Sequence, residues 1–170
     1  MKNKEYIENQ YKELLEQNEG KKVLNLVEFI KLRNFKSQIQ VETNEELIKE
    51  KTKEALEKAK SDNSEDIKES LRLLCSLKGI GIPTASTILH FAYPNKYAII
   101  DIYCWNRIKE YSMNDLASSY GEGEKGYENY SIYLKLLTKL KEETGKTFRQ
   151  IESEWFYEER DKNIKSKRRV

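Results

Sequence analysis

Apolar residues recur three and four positions apart along most of this chain, a spacing that places them on one face of an α-helix. Residues 4–18 form the first such segment, and Asn18-Glu19-Gly20 interrupts it. The second segment is predicted to bury one face made of Val23, Leu26, Val27 and Ile30. The third follows Thr43, the expected N-cap, with Glu46 completing a capping-box pattern. Its apolar stripe contains Leu47, Ile48, Thr52, Ala55, Leu56 and Ala59.

Turn residues separate the next three predicted helices. The cluster at 61–64 opens a fourth helix, whose apolar positions are Ile67, Leu71, Leu74 and Leu77. Gly79 and Gly81 end it, and a short fifth helix runs from Thr84 to about Phe91. Residues 92–97 are predicted to be irregular or extended, because Pro94 disfavours helix in the residue before it. Ile99-Ile100 is a short buried run, and Asp101 is the expected N-cap of a sixth helix that reaches about Tyr111.

The last third of the chain predicts two more helices. Residues 118–126, polar with three glycines, are predicted to be a loop, and a long helix follows over 127–143 with Gly145 as its C-terminal cap. Thr147 is the expected cap of a final helix that buries Phe148, Ile151 and Trp155. No segment has the alternation of a strand. The pattern therefore predicts an all-α fold of roughly eight helices, with one domain over 1–161 and a basic tail over 162–170.

The composition indicates a folded, single-domain protein but does not identify a binding partner. The 170 residues suit one domain, and 38% hydrophobic with 35% charged residues is typical of a folded chain. The 31 Lys and Arg nearly balance the 29 Asp and Glu, so a nucleic-acid partner would depend on where the positive charges lie. Cys75 and Cys104 form no disulfide framework or spaced metal motif, and we expect no cofactor. The start lacks an apolar signal region and no apolar run approaches the ~18 residues of a membrane span, so we expect a cytoplasmic protein.

The most informative segment is the junction between the fourth and fifth helices, here called the glycine turn (residues 77–81). Because glycine has no Cβ, Gly79 and Gly81 can adopt positive φ and admit another backbone closely. Outward amides and the dipole of the next helix would make the glycine turn an anion site suited to a phosphodiester, and Lys78 adds a full charge. The alternative is a tight connection between two helices with no ligand.

The residues around the glycine turn resemble the helix–hairpin–helix of the DNA base-excision glycosylase superfamily. The pattern is Leu-x-Gly-Ile-Gly-x-x-Thr-Ala-x-x-Ile-Leu, followed by Ile-Ile-Asp-x-x-x-Trp, and it covers about residues 67–108. A closer resemblance is to small bacterial proteins of this kind, which share the hairpin at 79–86, the segment at 97–101 and a C-terminal Trp that matches Trp155.

This resemblance implies a glycosylase-like helical fold with its hairpin at 66–92. It also implies a grip on duplex or damaged DNA that is independent of sequence. The residues implied in that contact are Lys78, Gly79, Ile80, Gly81, Ile82, Pro83, Thr84 and Ala85, and the hairpin could also hold a monovalent cation.

The same resemblance gives Asp101 a candidate catalytic role. In the glycosylases, the matching aspartate activates a nucleophile or stabilises the positive charge that develops on the sugar. The alternative is a structural N-cap, and one residue can serve both purposes. The lysine nucleophile of bifunctional relatives is replaced, at its two known places, by Pro83 and Arg72, so we expect no lyase activity. Two cysteines cannot supply the four-cysteine cluster of some relatives.

For the other candidate residues, the sequence either favours a structural role over a functional one or does not distinguish the two. His90 is more readily a satisfied or surface histidine than a catalytic one, and Trp105 is more readily core than a base-stacking residue. Tyr93, Tyr97 and Tyr103 could line a groove or pack at its rim. Arg107 and the basic tail could contact phosphates or be solvated. Glu28 could pair with Asp101 as an acid, though the sequence cannot bring the two together.

Three functions follow, in order. The first is a DNA-binding module of glycosylase-like fold that acts in DNA repair, and the second is an active monofunctional glycosylase that uses Asp101. The third is an interaction protein that keeps the fold without binding DNA, which the many surface acids and the small net charge favour.

Overall fold

The structure, a computed structural model, describes residues 4–36, 40, 42–111 and 119–167, with side chains as far as residue 162. These residues form eight α-helices and no strand, which confirms the predicted all-α architecture. The helices are α1 (Lys4–Asn18), α2 (Leu26–Lys36), α3 (Glu45–Lys58), α4 (Ser64–Cys75), α5 (Ile82–Ala92), α6 (Ile102–Tyr111), α7 (Gly123–Thr144) and α8 (Phe148–Lys167). None of them, within those ranges, is long and apolar enough to cross a membrane.

Helix α5 is the centre of the fold. Every residue of α5 except Pro83 is buried, and the helix packs against α1, α2, α4 and α7. This follows from its composition, since α5 contains no Lys, Arg, Asp or Glu in a chain where those residues make up 35% of the total. Helices α3 and α4 pair on one side, and α6 packs on α8 on another. Residues 97–100 run back along α5, from His90 to Ser86, so Asp101 lies near the same N-terminal end of this buried helix as the glycine turn.

The predicted caps are correct with one exception. Gly145 ends α7 with a φ of 67°, and Thr147 begins α8 by accepting a hydrogen bond from Gln150 N at 3.2 Å. The predicted cap Thr43 is wrong, because Asn44 Oδ1 accepts from Leu47 N and so caps α3. Glu42 occupies the amides of Thr43 and Asn44 instead.

The predicted apolar face of α2 is half correct: Leu26 and Ile30 pack against the core, but Val23 and Val27 do not. Val27 is 62% exposed and Val23 39% exposed, whereas Leu24, Phe29 and Leu32 enter the core. The helix begins only at Leu26, so Val23 is not part of it, and the face that meets α3 and α5 is rotated towards Phe29.

Three predicted boundaries move. Helix α5 begins at Ile82 rather than Thr84, and α7 begins at Gly123, inside the predicted loop 118–126, of which Ser118 lies outside the described residues. The earlier start of α7 explains Gly126, because a Cβ there would lie 2.2 Å from Ile82 Cδ1. Helix α8 continues to Lys167, so residues 162–167 of the predicted tail are helical, and 168–170 lie outside the described part of the chain.

Candidate functional site

The glycine turn uses its two glycines differently. Gly79 has a φ of 76° at the third position of a turn closed by a hydrogen bond from Ile80 N to Leu77 O, a position that favours glycine. Gly81 has a φ of −101° and a ψ of 177°, so of the two glycines only Gly79 uses the positive φ that glycine permits. A Cβ on Gly81 would meet only Pro83 Cδ at 3.8 Å, so packing within the chain does not require a glycine there.

The backbone of the glycine turn faces outward in part. Gly79 and Gly81 are both exposed, while Ile80 between them is buried. The amides of Ile80, Thr84 and Ala85 donate within the chain. Among the described residues, no backbone hydrogen bond engages the amides of Gly79, Gly81 and Ile82, and Gly81 caps α5 without a side-chain hydrogen bond. Three donors are thus left at the N-terminus of α5, where the helix dipole is positive.

The charge near the glycine turn is mixed. Lys78 is exposed, as expected for a phosphate contact. However, Glu42 N donates to Lys78 O at 2.9 Å, and Lys78 is one of the groups that hold the pKa of the Glu42 carboxyl below its usual range, after the amides of Asn44 and Thr43. Glu122 lines the opposite side of the glycine turn. An anion would therefore be held mainly by amides rather than by net positive charge.

The cation predicted for the hairpin stays a prediction. The carbonyl oxygens of Leu77 and Lys78 each accept one backbone hydrogen bond, whereas Gly81 O accepts two, from Thr84 N and Ala85 N. The oxygens of Leu77 and Lys78 keep a second lone pair, which could coordinate a monovalent ion.

Residues 97–101 are an extended segment without a partner strand in the described structure, and side chains from three helices hold its backbone. On the α5 side, His90 Nδ1 bonds Tyr97 O at 2.7 Å and Ser86 Oγ accepts from Ile100 N at 3.2 Å. From α7 and α8, Tyr130 donates to Ala98 O, Tyr133 donates to Ile99 O, and Glu152 Oε1 accepts from Ile99 N. Buried backbone groups need such partners, and these contacts fix the position of Asp101.

Asp101 is an N-cap, as predicted, and it also has an ionic partner. Its Oδ1 accepts from Cys104 N at 2.8 Å, and its Oδ2 lies 3.2 Å from Lys36 Nζ at the end of α2. Burial by itself raises the pKa of this carboxyl, but Lys36 and the Cys104 amide outweigh it and leave the pKa below its ordinary value. Asp101 is therefore an ionised carboxylate, and Lys36 is a residue of the site that the sequence did not reveal.

A cavity of about 510 Å³ connects the predicted elements, within the size range of small-molecule sites. Its lining includes Gly79 and Gly81 of the glycine turn, Pro83 and Thr84 at the start of α5, and Asp101, the N-cap of α6. Aromatic rings cover other walls, from Phe35, Tyr103, Tyr120 and Phe156. The structure thus places Asp101 and the glycine turn around one space. Ile80, Ile82 and Ala85 are buried, so these predicted contact residues could offer only backbone atoms.

Glu152 also lines this cavity, and among the described carboxyls its pKa departs furthest from the ordinary value. The residue is 3% exposed, and burial raises the pKa of its carboxyl to about 8, against the opposing effect of Arg149. One oxygen accepts from Ile99 N, whereas Oε2 has no hydrogen-bond partner in the described structure. The sequence missed Glu152, since its only local signal was an acid in an otherwise apolar position of the α8 face.

The remaining candidates have structural roles. His90 is buried and bonded at both nitrogens, Trp105 is fully buried, and Tyr93 donates to Leu56 O. Tyr97 donates to the carbonyl oxygen of Ala59, the residue that follows α3, whereas Tyr103 lines the cavity.

The charged candidates lie apart from the cavity. Arg107 pairs with Glu110 and Glu158, and Arg72 pairs with Glu69 and Glu124. Glu28 pairs with Lys21 and does not line the cavity, so the suggested Glu28–Asp101 pair is not formed.

Comparison with known proteins adds no family to these observations: no family model, no curated protein and no solved structure matches the chain.

Proposed function

We propose that this protein binds DNA by its phosphate backbone through the glycine turn, as a module of glycosylase-like fold that acts on damaged or distorted duplexes. The observation that carries the proposal is the shared cavity, because the exposed amides at the start of α5 and the Asp101 carboxylate border one space. A phosphodiester on those amides would leave the adjoining nucleotide at the mouth of the cavity. The resemblance of residues 67–108 to helix–hairpin–helix proteins supports the same assignment.

A backbone grip makes no use of base identity, so binding should be similar for unrelated sequences and should weaken as salt is added. The mixed charge around Lys78 and Glu42 predicts modest affinity for intact duplex. A duplex that contains an abasic-site analogue should bind better, because its nucleotide can leave the stack at lower cost.

Gly81→Val is the sharpest test of the grip. Gly81 has an extended backbone and open space at the Cβ position, so valine should fold normally while its side chain covers the exposed amides. We expect a loss of binding to all duplexes of about tenfold or more, measured by fluorescence anisotropy, which corresponds to about 1.4 kcal/mol.

Gly79→Ala is the second variant, and Gly145→Ala is its matched control. Both glycines have similar positive φ, 76° and 67°, so alanine should destabilise both by about 1–2 kcal/mol. Only Gly79→Ala should weaken DNA binding. Equal binding by wild type, Gly81→Val and Gly79→Ala would refute the grip and favour an interaction protein that keeps only the fold.

Monofunctional base hydrolysis is a second candidate, favoured by the ionised Asp101 inside the cavity. A fixed carboxylate in a water-poor site would stabilise positive charge on a sugar. Base release across a panel of lesion duplexes should then be lost in Asp101→Asn while binding persists. If wild type releases no base from any lesion of the panel, the protein is a binding module.

The expectation of no lyase activity rests on Pro83 and Arg72, but Lys36 places a different amine beside Asp101. Borohydride trapping of an abasic duplex tests directly whether this amine forms a Schiff base with the sugar.

A further inference from the structure

Glu152 combines two features that a purely structural carboxyl does not need. Its Oε1 holds the Ile99 amide, a task that a serine performs one residue later, where Ser86 Oγ accepts from Ile100 N. Its Oε2 is buried without a hydrogen-bond partner in the described structure, although Glu152 lines the cavity. A buried polar atom without a partner costs on the order of 1–3 kcal/mol, so its presence calls for an explanation.

The protonation state of Glu152 decides what Oε2 can offer. Burial raises the pKa of Glu152 to about 8, so near neutral pH the carboxyl is a neutral acid. Because Oε1 accepts from Ile99 N, the proton belongs on Oε2. Glu152 therefore carries one O–H donor for which the described protein provides no acceptor. Because Oε2 is covered from solvent, a ligand in the cavity meets it only when the Glu152 side chain turns towards the cavity.

The tyrosines, Cys104 and Asp101 near Glu152 do not titrate in the same range. The titratable and charged groups that face Glu152 are Tyr11 from α1, Lys36 from α2, Asp101, Cys104 from α6, Tyr130 and Tyr133 from α7, and Arg149 from α8. Burial raises the pKa of the tyrosines and of Cys104, which keeps them neutral, and Asp101 has a lowered pKa, which keeps it ionised. A change in binding between pH 6 and pH 9 would thus report on Glu152.

We propose that Glu152 Oε2 is the hydrogen-bond donor that recognises a nucleobase in the cavity, by binding a ring nitrogen or carbonyl oxygen of that base. The inference rests on the proposed function, which brings a nucleotide to the cavity. The cavity volume of about 510 Å³ and the rings of Phe35, Tyr103, Tyr120 and Phe156 suit a flat heterocycle. Asp101 and Glu152 then have separate tasks in one site, since one is an acceptor and the other a donor.

The test uses two duplexes that differ only in the presence of a base. The first carries 2-aminopurine opposite an abasic-site analogue, and the second carries an abasic analogue in place of the 2-aminopurine. 2-Aminopurine has ring nitrogens that accept hydrogen bonds, and its fluorescence reports whether it has left the stack. The ratio of the two affinities cancels the backbone grip and isolates the base.

We expect wild type to prefer the 2-aminopurine duplex at pH 6 and to lose about tenfold of that preference by pH 9, as the donor becomes a buried anion. Glu152→Gln keeps an acceptor for Ile99 N and a donor that does not titrate, so its preference should persist at pH 9. Glu154→Gln removes an exposed carboxyl of the same helix, which pairs with Lys146, and should behave as wild type.

Each outcome is decisive. A preference independent of pH in wild type, or the same pH dependence in Glu152→Gln, would overturn the role of Glu152. Equal binding of the two duplexes, with binding still sensitive to Gly81→Val, would overturn this inference and leave the DNA grip intact. No binding of either duplex at low salt would overturn the proposed function and this inference with it. If Glu152→Gln failed to fold, a carboxyl titration of wild type by NMR, free and with the 2-aminopurine duplex, would decide whether the base shifts the Glu152 resonance.

Discussion

His90 and Glu152 are two buried titratable residues that hold the same segment, residues 97–101, from helices α5 and α8. His90 bonds Tyr97 O with Nδ1, and its Nε2 is 2.8 Å from the Tyr11 hydroxyl. Glu152 bonds Ile99 N with one oxygen, and the other oxygen has no partner in the described structure. Burial favours the neutral form of both, lowering the pKa of His90 to about 4 and raising that of Glu152 to about 8. Burial alone therefore does not distinguish the two residues, which differ in that only Glu152 has a buried side-chain atom without a partner in the described structure.

The largest expected effect is the loss of His90. His90→Phe would leave Tyr97 O and the Tyr11 hydroxyl buried without partners, so we expect destabilisation of about 4 kcal/mol. Glu152→Gln keeps the Ile99 contact and should change stability near pH 5 by less than about 1 kcal/mol. Chemical denaturation of the two variants measures the difference. Similar losses in both would mean that Glu152 is as structural as His90.

The next effect is the pH dependence that Glu152 imposes on stability. Between the unfolded and folded pKa values, the folded protein keeps a proton that the unfolded chain loses, so stability falls as pH rises. We expect a loss of about 3 kcal/mol between pH 5 and pH 8, at about 1 kcal/mol per unit, and Glu152→Gln should remove this loss. If stability changed with pH in the same way in wild type and in Glu152→Gln, the Glu152 carboxyl would have the pKa of an ordinary exposed acid.

His90 imposes a smaller dependence of opposite direction. Its folded pKa is depressed, so the unfolded chain takes up a proton first as pH falls, and stability is lost below about pH 6.5. The stability gap between wild type and His90→Phe should shrink by about 2 kcal/mol between pH 6.5 and pH 5. A constant gap would show that His90 is accessible to protons in the folded state.

The smallest effect concerns the Asp101 carboxylate, which pairs with Lys36 at the border of the cavity. Lys36→Met should raise the pKa of Asp101, because Lys36 is the main group that lowers it against burial. The stability given by Asp101 exists above its unfolded pKa and is lost as pH falls through its folded pKa, so the variant should lose less than about 1 kcal/mol near neutral pH. NMR titration of the Asp101 carboxyl measures the shift, and an unchanged value would mean that Cys104 N alone sets it.

Much of the frame could be predicted because its causes are local. Helical spacing predicted the number of helices, the polar side chains of Asp101 and Thr147 predicted two N-caps, and the missing side chain of Gly145 predicted a C-cap. The errors occur where a distant contact overrides the local pattern. Helix α7 begins inside the predicted loop, and there Ile82 Cδ1 lies so close to Gly126 that only glycine fits. The buried face of α2 is the one that meets α3 and α5, and it excludes Val23 and Val27.

The sequence by itself determined the all-helical frame, the charge-free helix at its centre, the place of the glycine turn and the cap at Asp101. Only the tertiary structure decided which polar side chains share a cavity. Glu152 lies 53 residues from Ile99, and Lys36 lies 65 residues from Asp101. Along the chain, Glu152 and Lys36 resemble the other charged residues of amphipathic helices. Only packing, which removes water, leaves the Asp101 carboxyl paired with Lys36 and the Glu152 carboxyl with an unsatisfied oxygen.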